Sequence, residues 1–112
     1  MKGMTEEQAM RYLQDTLFVV GGKWKLPILR AIHSGNYRFR DIQRSLPLIT
    51  TRVLSKELKH LEENKLVIRT VYHAPLAVEY KVPDYMHSLL PVIKEMILWG
   101  KKHRKKLVKH IP

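Results

Sequence analysis

The side chains best suited to chemistry in this 112-residue chain are hydroxyls and cations that recur within one short stretch. They are Thr51, Arg52, Ser55, Lys56 and Lys59. On a helix of about 100° per residue they face away from an apolar cluster. That cluster consists of Leu54, Leu58 and Leu61, with Val53 at its edge. Guanidinium and hydroxyl groups can bond to base edges, and ammonium groups can neutralise phosphates. The stretch therefore favours a helix that reads DNA, although an ordinary amphipathic surface helix has the same pattern.

The charge distribution points to a polyanionic partner. The chain has 21 basic and 10 acidic residues, a formal net charge of +11. Residues 23–69 hold 11 basic and 4 acidic side chains, and residues 101–112 hold 6 basic and no acidic ones. The positive charge is thus concentrated around the candidate helix and at the C-terminus, as expected for a protein that binds nucleic acid.

Signals for other chemistry are weak or missing. The absence of cysteine excludes disulfides and thiolate metal ligands within this chain. The six histidines include no i, i+4 pair, and no carboxylates lie near them at ligand spacing. Gly21-Gly22-Lys23 lacks the remaining residues of a phosphate loop, and no nucleophile elbow occurs. We expect no enzyme activity, no metal and no cofactor. Without a secretory signal or an apolar run near ~20 residues, we also expect a cytoplasmic protein that does not enter the membrane.

The first third of the chain predicts two helices. Thr5 and Gln8 have capping-box spacing, and apolar residues at helical intervals extend the first helix over about 6–20. Gly21-Gly22 ends it, and a second helix begins at Lys23-Trp24-Lys25 with Ile28, Leu29 and Ile32 facing inward.

The middle of the chain predicts a helix-turn-helix over about 40–63, followed by a hairpin wing over about 67–82. Arg40–Leu46 forms a short helix, and Thr50 or Thr51 caps the longer one. Residues 66–72 and 78–82 favour strands, with a turn at 73–77. The fold class is therefore α+β, a winged helix-turn-helix in a single domain over residues 1–112.

The last segment predicts a long helix over about 84–105. Asp84 is its expected cap, and Pro91 should kink the helix near His87 or divide it in two. The basic tail from Lys101 to Lys109 either extends this helix to contact flanking phosphates or forms a solvated, frayed end.

These motifs together resemble the HxlR family of bacterial winged helix-turn-helix transcription regulators. The similar segments are Gly21-Gly22-Lys23-Trp24-Lys25 with Ile28-Leu29, Arg38-Phe39 with Ile42, Leu54 to Glu62, Val78-Glu79-Tyr80, Leu89-Leu90-Pro91-Val92 and Trp99-Gly100. The resemblance implies a homodimer that binds a palindromic operator near a promoter. Family members that sense oxidants do so through a cysteine near the first helix, and this chain has none. Thiol-based sensing is therefore not carried over.

A winged helix-turn-helix assigns roles to the candidate DNA-binding residues. Lys23, Lys25 and Arg38 are expected to contact phosphates. Arg52 is the foremost base-reading residue, assisted by Thr51 and Ser55. Lys56 suits either role, and Lys59 suits phosphate. The hairpin tip, which begins at His73, lacks lysine and arginine, so we expect it to contribute little.

The first and last helices are the expected dimer surface. Its residues are Leu13, Leu17, Leu89, Leu90, Ile93 and Ile97. Packing within one chain would use the same apolar stripe, and that alternative stays open. An effector ligand is compatible with the sequence but is not identified by it, and the operator, the regulated genes and the sign of regulation are unspecified. The alternative function is a basic architectural or RNA-binding protein with little sequence preference.

Overall fold

A computed structural model describes residues 1–108, and its contacts divide the chain into two units. The first unit, Met1–Val82, contains four helices and a two-stranded sheet, and the second begins at Pro83. The elements of the first unit are α1 (Glu6–Val20), α2 (Lys25–His33), α3 (Phe39–Ser45), α4 (Thr51–Glu63), β1 (Ile68–His73) and β2 (Leu76–Lys81). The second unit has a 3₁₀ helix (Asp84–Leu89) followed by α5 (Leu90–Val108). The arrangement is the expected winged helix-turn-helix with a long C-terminal helix. Lys109, the last residue of the predicted basic tail, lies outside the described residues.

Local capping fixes the two ends of α1 as the sequence predicted. Thr5 Oγ1 accepts from the Gln8 amide at 3.1 Å, and Gln8 Oε1 accepts from the Thr5 amide at 2.9 Å. At the other end the Gly21 amide donates to the Leu17 carbonyl at 2.7 Å. A Cβ at Gly21 would collide with that carbonyl oxygen, so this tight ending requires glycine.

The core of the first unit is built where α2 lies against α3 and α4. Its fully buried side chains include Ile28, Leu29 and Ile32 of α2, Ile42 of α3, and Leu54, Leu58 and Leu61 of α4. These are the inward positions that the helical spacing predicted, whereas Val53 is half-buried at the edge. Burial of the three leucines fixes the rotation of α4 and leaves its opposite face exposed.

Of the two threonines that could cap α4, the structure shows that Thr50 does so. Thr50 has extended backbone, and its Oγ1 accepts from the Val53 amide at 3.2 Å. Thr51 is therefore the first residue inside α4. The bond satisfies one of the amides that a helix start leaves unpaired.

The wing differs from the predicted hairpin in the length of its turn. The strands pair antiparallel from Ile68 with Lys81 to His73 with Leu76, so the turn contains only Ala74 and Pro75. The predicted five-residue turn at 73–77 was too long, because cross-strand pairing extends through residues whose types alone favour a loop. The Tyr80 amide of β2 also donates to the Tyr37 carbonyl at 2.7 Å, which ties the wing to the segment before α3.

The second unit confirms one of the two outcomes expected from Pro91 and contradicts the expected cap. The predicted helix is divided, and Pro91 is the second residue of α5, where its missing amide hydrogen has no helical partner to lose. Asp84 is not the cap: it is the first residue of the 3₁₀ helix, Pro83 precedes it, and no side chain caps that end. Within residues 1–108, no helix has both the length and the apolar character needed to cross a bilayer.

The buried face of α4 yields a stability prediction. Leu54→Ala should lower the free energy of unfolding by about 2–5 kcal/mol, because it removes a fully buried side chain and leaves a cavity. Leu48→Ala is the matched control: Leu48 is 81% exposed in the turn before α4, so its truncation should cost less than about 0.5 kcal/mol. Urea unfolding measures both values, and similar losses would contradict the assigned core.

Candidate nucleic-acid interface

All five predicted contact residues of α4 are accessible. They are Thr51, Arg52, Ser55, Lys56 and Lys59. Three of the five are cations, and the acids Glu62 and Glu63 lie only at the far end of the helix. Phosphates and base edges can therefore approach the first two turns without meeting a carboxylate on this face.

Thr51 is held by a contact that sequence reasoning missed. Gln43 Nε2 of α3 donates to Thr51 Oγ1 at 3.0 Å, a bond between the two helices of the helix-turn-helix. The Thr51 hydroxyl accepts this bond and still has a hydrogen to donate to a phosphate or a base. The only signal in the sequence is the expected closeness of α3 to the start of α4, and this does not single out Gln43.

Lys25 is placed differently from the phosphate contact that the sequence suggested. Its ammonium lies 2.9 Å from Glu57 Oε2 of α4, and the two side chains are only 14% and 18% exposed. Such a pair is held between two helices and is costly to separate. We therefore do not retain Lys25 among the proposed DNA contacts.

Lys23 and Arg38 remain accessible. Lys23 is exposed, and its ammonium lies 5.0 Å from the ring centroid of Trp24. Arg38 immediately precedes α3, its side chain is 60% exposed, and its Nε is 4.0 Å from Glu79 Oε2. An exposed pair at this distance contributes little, so the guanidinium can turn to a phosphate at small cost.

The wing tip is apolar. His73 is the last residue of β1 and is exposed, as are Ala74, Pro75 and Leu76. The cations Arg69 and Lys81 lie at the opposite end of the hairpin. Direct phosphate neutralisation by the tip would thus depend on His73 alone.

Each unit presents an exposed apolar helix face. On α1 these residues include the predicted Leu13 and Leu17, together with Tyr12 and Phe18, which the sequence reading did not include. In the second unit Leu90 and Ile97 are exposed, Leu89 and Ile93 are half-buried, and Trp99 is an exposed residue that the prediction omitted. None of the α5 residues is buried. Helices with this much exposed apolar surface are typical of an interaction surface.

The sequence matches a known family of regulators. The family model of the HxlR-like helix-turn-helix matches residues 19–107 of this chain. The chain belongs to the HxlR family. The match covers α2 to α5, including the helix-turn-helix and the wing.

Relatives of this HxlR chain are regulators in bacteria and in an archaeon. It is 42% identical over 87 residues to the uncharacterized HTH-type transcriptional regulator YdzF of Bacillus subtilis, covering 76% of this chain and 80% of that one. An uncharacterized HTH-type transcriptional regulator of Methanothermobacter thermautotrophicus is 38% identical over 101 residues, with 89% and 77% covered. The structure of the redox regulator HypR in its reduced form has a TM-score of 0.76 and 36% identity, covering 88% of this chain and 99% of that one. The chain is thus a DNA-binding helix-turn-helix transcription regulator and not an enzyme.

The different surroundings of two neighbouring lysines yield a test. Lys23→Gln should lower the slope of log affinity against log salt by about one, because an exposed phosphate contact is lost. Lys25→Gln should leave the slope unchanged and should lower the free energy of unfolding by about 1–3 kcal/mol, because Glu57 is left unpaired in a mostly buried site. Fluorescence anisotropy over a salt series and urea unfolding provide the two readouts. A reduced slope for Lys25→Gln would restore Lys25 as a phosphate contact.

Proposed function

We propose that the protein is a homodimer that binds a palindromic operator and places the start of α4 in the major groove. The observation that carries this proposal is the exposed cationic face of α4, held in a fixed rotation by its buried leucines. The N-terminal turns of the second helix of a helix-turn-helix are the ones that contact base edges. In this role Arg52 reads a guanine through two hydrogen bonds, and Thr51 and Ser55 contact neighbouring bases.

The remaining cations act through charge. Lys23, Arg38 and Lys59 neutralise phosphates and set the register of the protein on the duplex. Lys56 is on the same face of α4 and can contact either a base or a phosphate. The tip of the wing, from His73 to Leu76, adds contact with the adjacent groove but little charge.

A dimer follows from the apolar faces of α1 and α5. A monomer would leave Leu13, Leu17 and Ile97 in water, whereas a second copy can bury them. Two α4 helices related by a two-fold axis would also read two half-sites about 34 Å apart, which raises affinity and requires a palindrome.

Selection of bound duplexes from a random pool tests the proposed readout. The wild-type chain should enrich a palindrome whose half-sites are about ten base pairs apart, centre to centre. Arg52→Ala should cost about 1–3 kcal/mol on the selected operator and relax preference at one position in each half-site. Lys59→Ala, the matched control on the same face, should weaken all sequences alike and lower the salt slope by about one.

Two outcomes of this selection would contradict the proposal. No enrichment would indicate an architectural or RNA-binding protein instead. Equal losses for Arg52→Ala on the operator and on random duplexes would remove its base-reading role.

A substitution on α1 tests the oligomeric state. Leu13→Glu should shift the mass measured by light scattering from dimer to monomer, because a carboxylate would be buried without a partner. Gln14→Glu is the control: Gln14 is the neighbouring exposed polar residue, and this substitution adds the same charge beside the apolar face. Its mass should stay that of the dimer. A wild-type mass that corresponds to a monomer at every concentration would overturn the proposed dimer.

A further inference from the structure

The basic tail that follows Gly100 is helical as far as the structure describes it. Residues 101–108 continue α5 without a break, and every one of them is exposed. Of the two outcomes that the sequence left open for the tail, extension of the helix is therefore the one observed. The helix then fixes the relative directions of the side chains of the tail.

Four lysines of this helical tail lie on one side of it. They are Lys101, Lys102, Lys105 and Lys106, which we call the lysine face. At about 100° per residue they occupy an arc of about 140°. The exposed Met96 and Leu107 and the half-buried Ile93 lie on the opposite side of the helix. A second copy of the chain packed against this apolar side would leave the lysine face in water.

The lysine face has no negative partner within residues 1–108. The ion pairs in this part of the chain involve Lys25, Arg38 and Arg44, and none of the four lysines. Glu95, the only acid of α5, lies about 9 Å before Lys101 along the helix axis. Like charges four residues apart on a helix repel each other, and the lysine face contains two such pairs. The helix thus holds together positive charges whose repulsion a bound polyanion would relieve.

The helix dipole accounts for only part of this charge. Cations are favoured near the C-terminus of a helix, and the effect is confined to the last turn. Lys105 and Lys106 lie in the last turn of α5, whereas Lys101 and Lys102 lie one turn earlier. The dipole also favours every side of the helix equally, so it does not explain why the four lysines share one side.

The spacing of the four charges suits a nucleic-acid backbone. They extend over about 7.5 Å along the axis of α5. Duplex DNA carries one phosphate charge per about 1.7 Å of its axis, so an equal length of duplex presents about four. Lysine binds phosphate as a point charge, which requires no particular base sequence. The chain belongs to a family of DNA-binding regulators, so duplex DNA is a polyanion that it meets.

We propose that the lysine face of α5 is a second DNA-binding surface, which contacts the phosphates of duplex DNA without regard to sequence. These phosphates belong either to the operator duplex, beyond the two half-sites, or to another duplex. The lysine face adds affinity to the contacts proposed for α4. It does not depend on base reading by Arg52.

Lys101→Gln combined with Lys105→Gln tests this surface in the full chain. Lysine and glutamine have similar helix propensities, so α5 should stay folded, as circular dichroism can verify. On a long random-sequence duplex, the slope of log affinity against log salt should fall by about two for each protomer, because two phosphate contacts are lost. Fluorescence anisotropy over a salt series measures the slope.

Lys2→Gln combined with Lys65→Gln is the matched control. It removes the same charge from two exposed lysines that belong to neither DNA-binding surface. The salt slope of this control should equal that of the wild-type chain. An equal fall in both double variants would reflect net charge alone and would overturn the proposal.

The length of the duplex distinguishes the two sources of phosphate. If the lysine face contacts the operator duplex, longer flanks should strengthen binding by the wild-type chain but not by Lys101→Gln with Lys105→Gln. If it contacts another duplex, light scattering should show that the wild-type protein holds a second short operator and that the double variant does not. Either pattern supports the proposal.

An unchanged salt slope for Lys101→Gln with Lys105→Gln on every duplex would overturn the proposal. If that variant instead lost binding to phosphatidylserine vesicles, the lysine face would be assigned to a membrane surface. Failure of the random pool to yield any enriched sequence would contradict base reading by α4. A reduced slope on random duplexes would still support the lysine face in that case.

Discussion

The burial of three leucines of α4 is the constraint on which the rest of this regulator depends. Leu54, Leu58 and Leu61 are almost completely removed from water. Helical geometry then determines the direction in which each remaining side chain of α4 points. Arg52 and its exposed neighbours face outward because the leucines face inward. The hydrophobic core thus selects which side chains can meet DNA, although no leucine needs to touch it. Thr50 and Gln43 refine this arrangement at the start of the helix, where a change in position would matter most for base contacts.

Much of the fold could be predicted because its signals are local. The capping box at Thr5, the glycine break at Gly21 and the leucine spacing of α4 each act within a few residues, and each element lies close to its expected position. The errors arose at the ends of elements, where residue type alone does not decide which backbone hydrogen bonds form. Strand pairing through His73 and Leu76 shortened the turn of the wing. Asp84 is the first residue of a 3₁₀ helix that ends at Leu89, and Pro91 is tolerated because it lies in the first turn of α5.

The candidate site was less predictable than the fold, because a count of cations does not reveal their partners. Lys23 and Lys25 are two residues apart and have the same charge, yet only Lys25 meets a carboxylate, and that carboxylate belongs to a distant helix. Gln43 has no charge and no periodic signature, so its bond to Thr51 depends on the three-dimensional approach of α3 to α4. Helical spacing identified the exposed face of α4, but it could not show which side chains form hydrogen bonds or ion pairs with other helices.

The contact of Lys25 with Glu57 also explains why α4 can support two different surfaces. Without Lys25, Glu57 would be an isolated, mostly buried carboxylate. Pairing them joins α2 to α4 and keeps the negative charge of Glu57 close to a positive one, away from Arg52 and Ser55. One face of α4 can then remain cationic for DNA, while the side toward α1 borders a cleft lined by Leu17, Phe18 and His60. Lys56 and Lys59 border both surfaces. A change in charge at one surface therefore alters the electrostatic potential at the other.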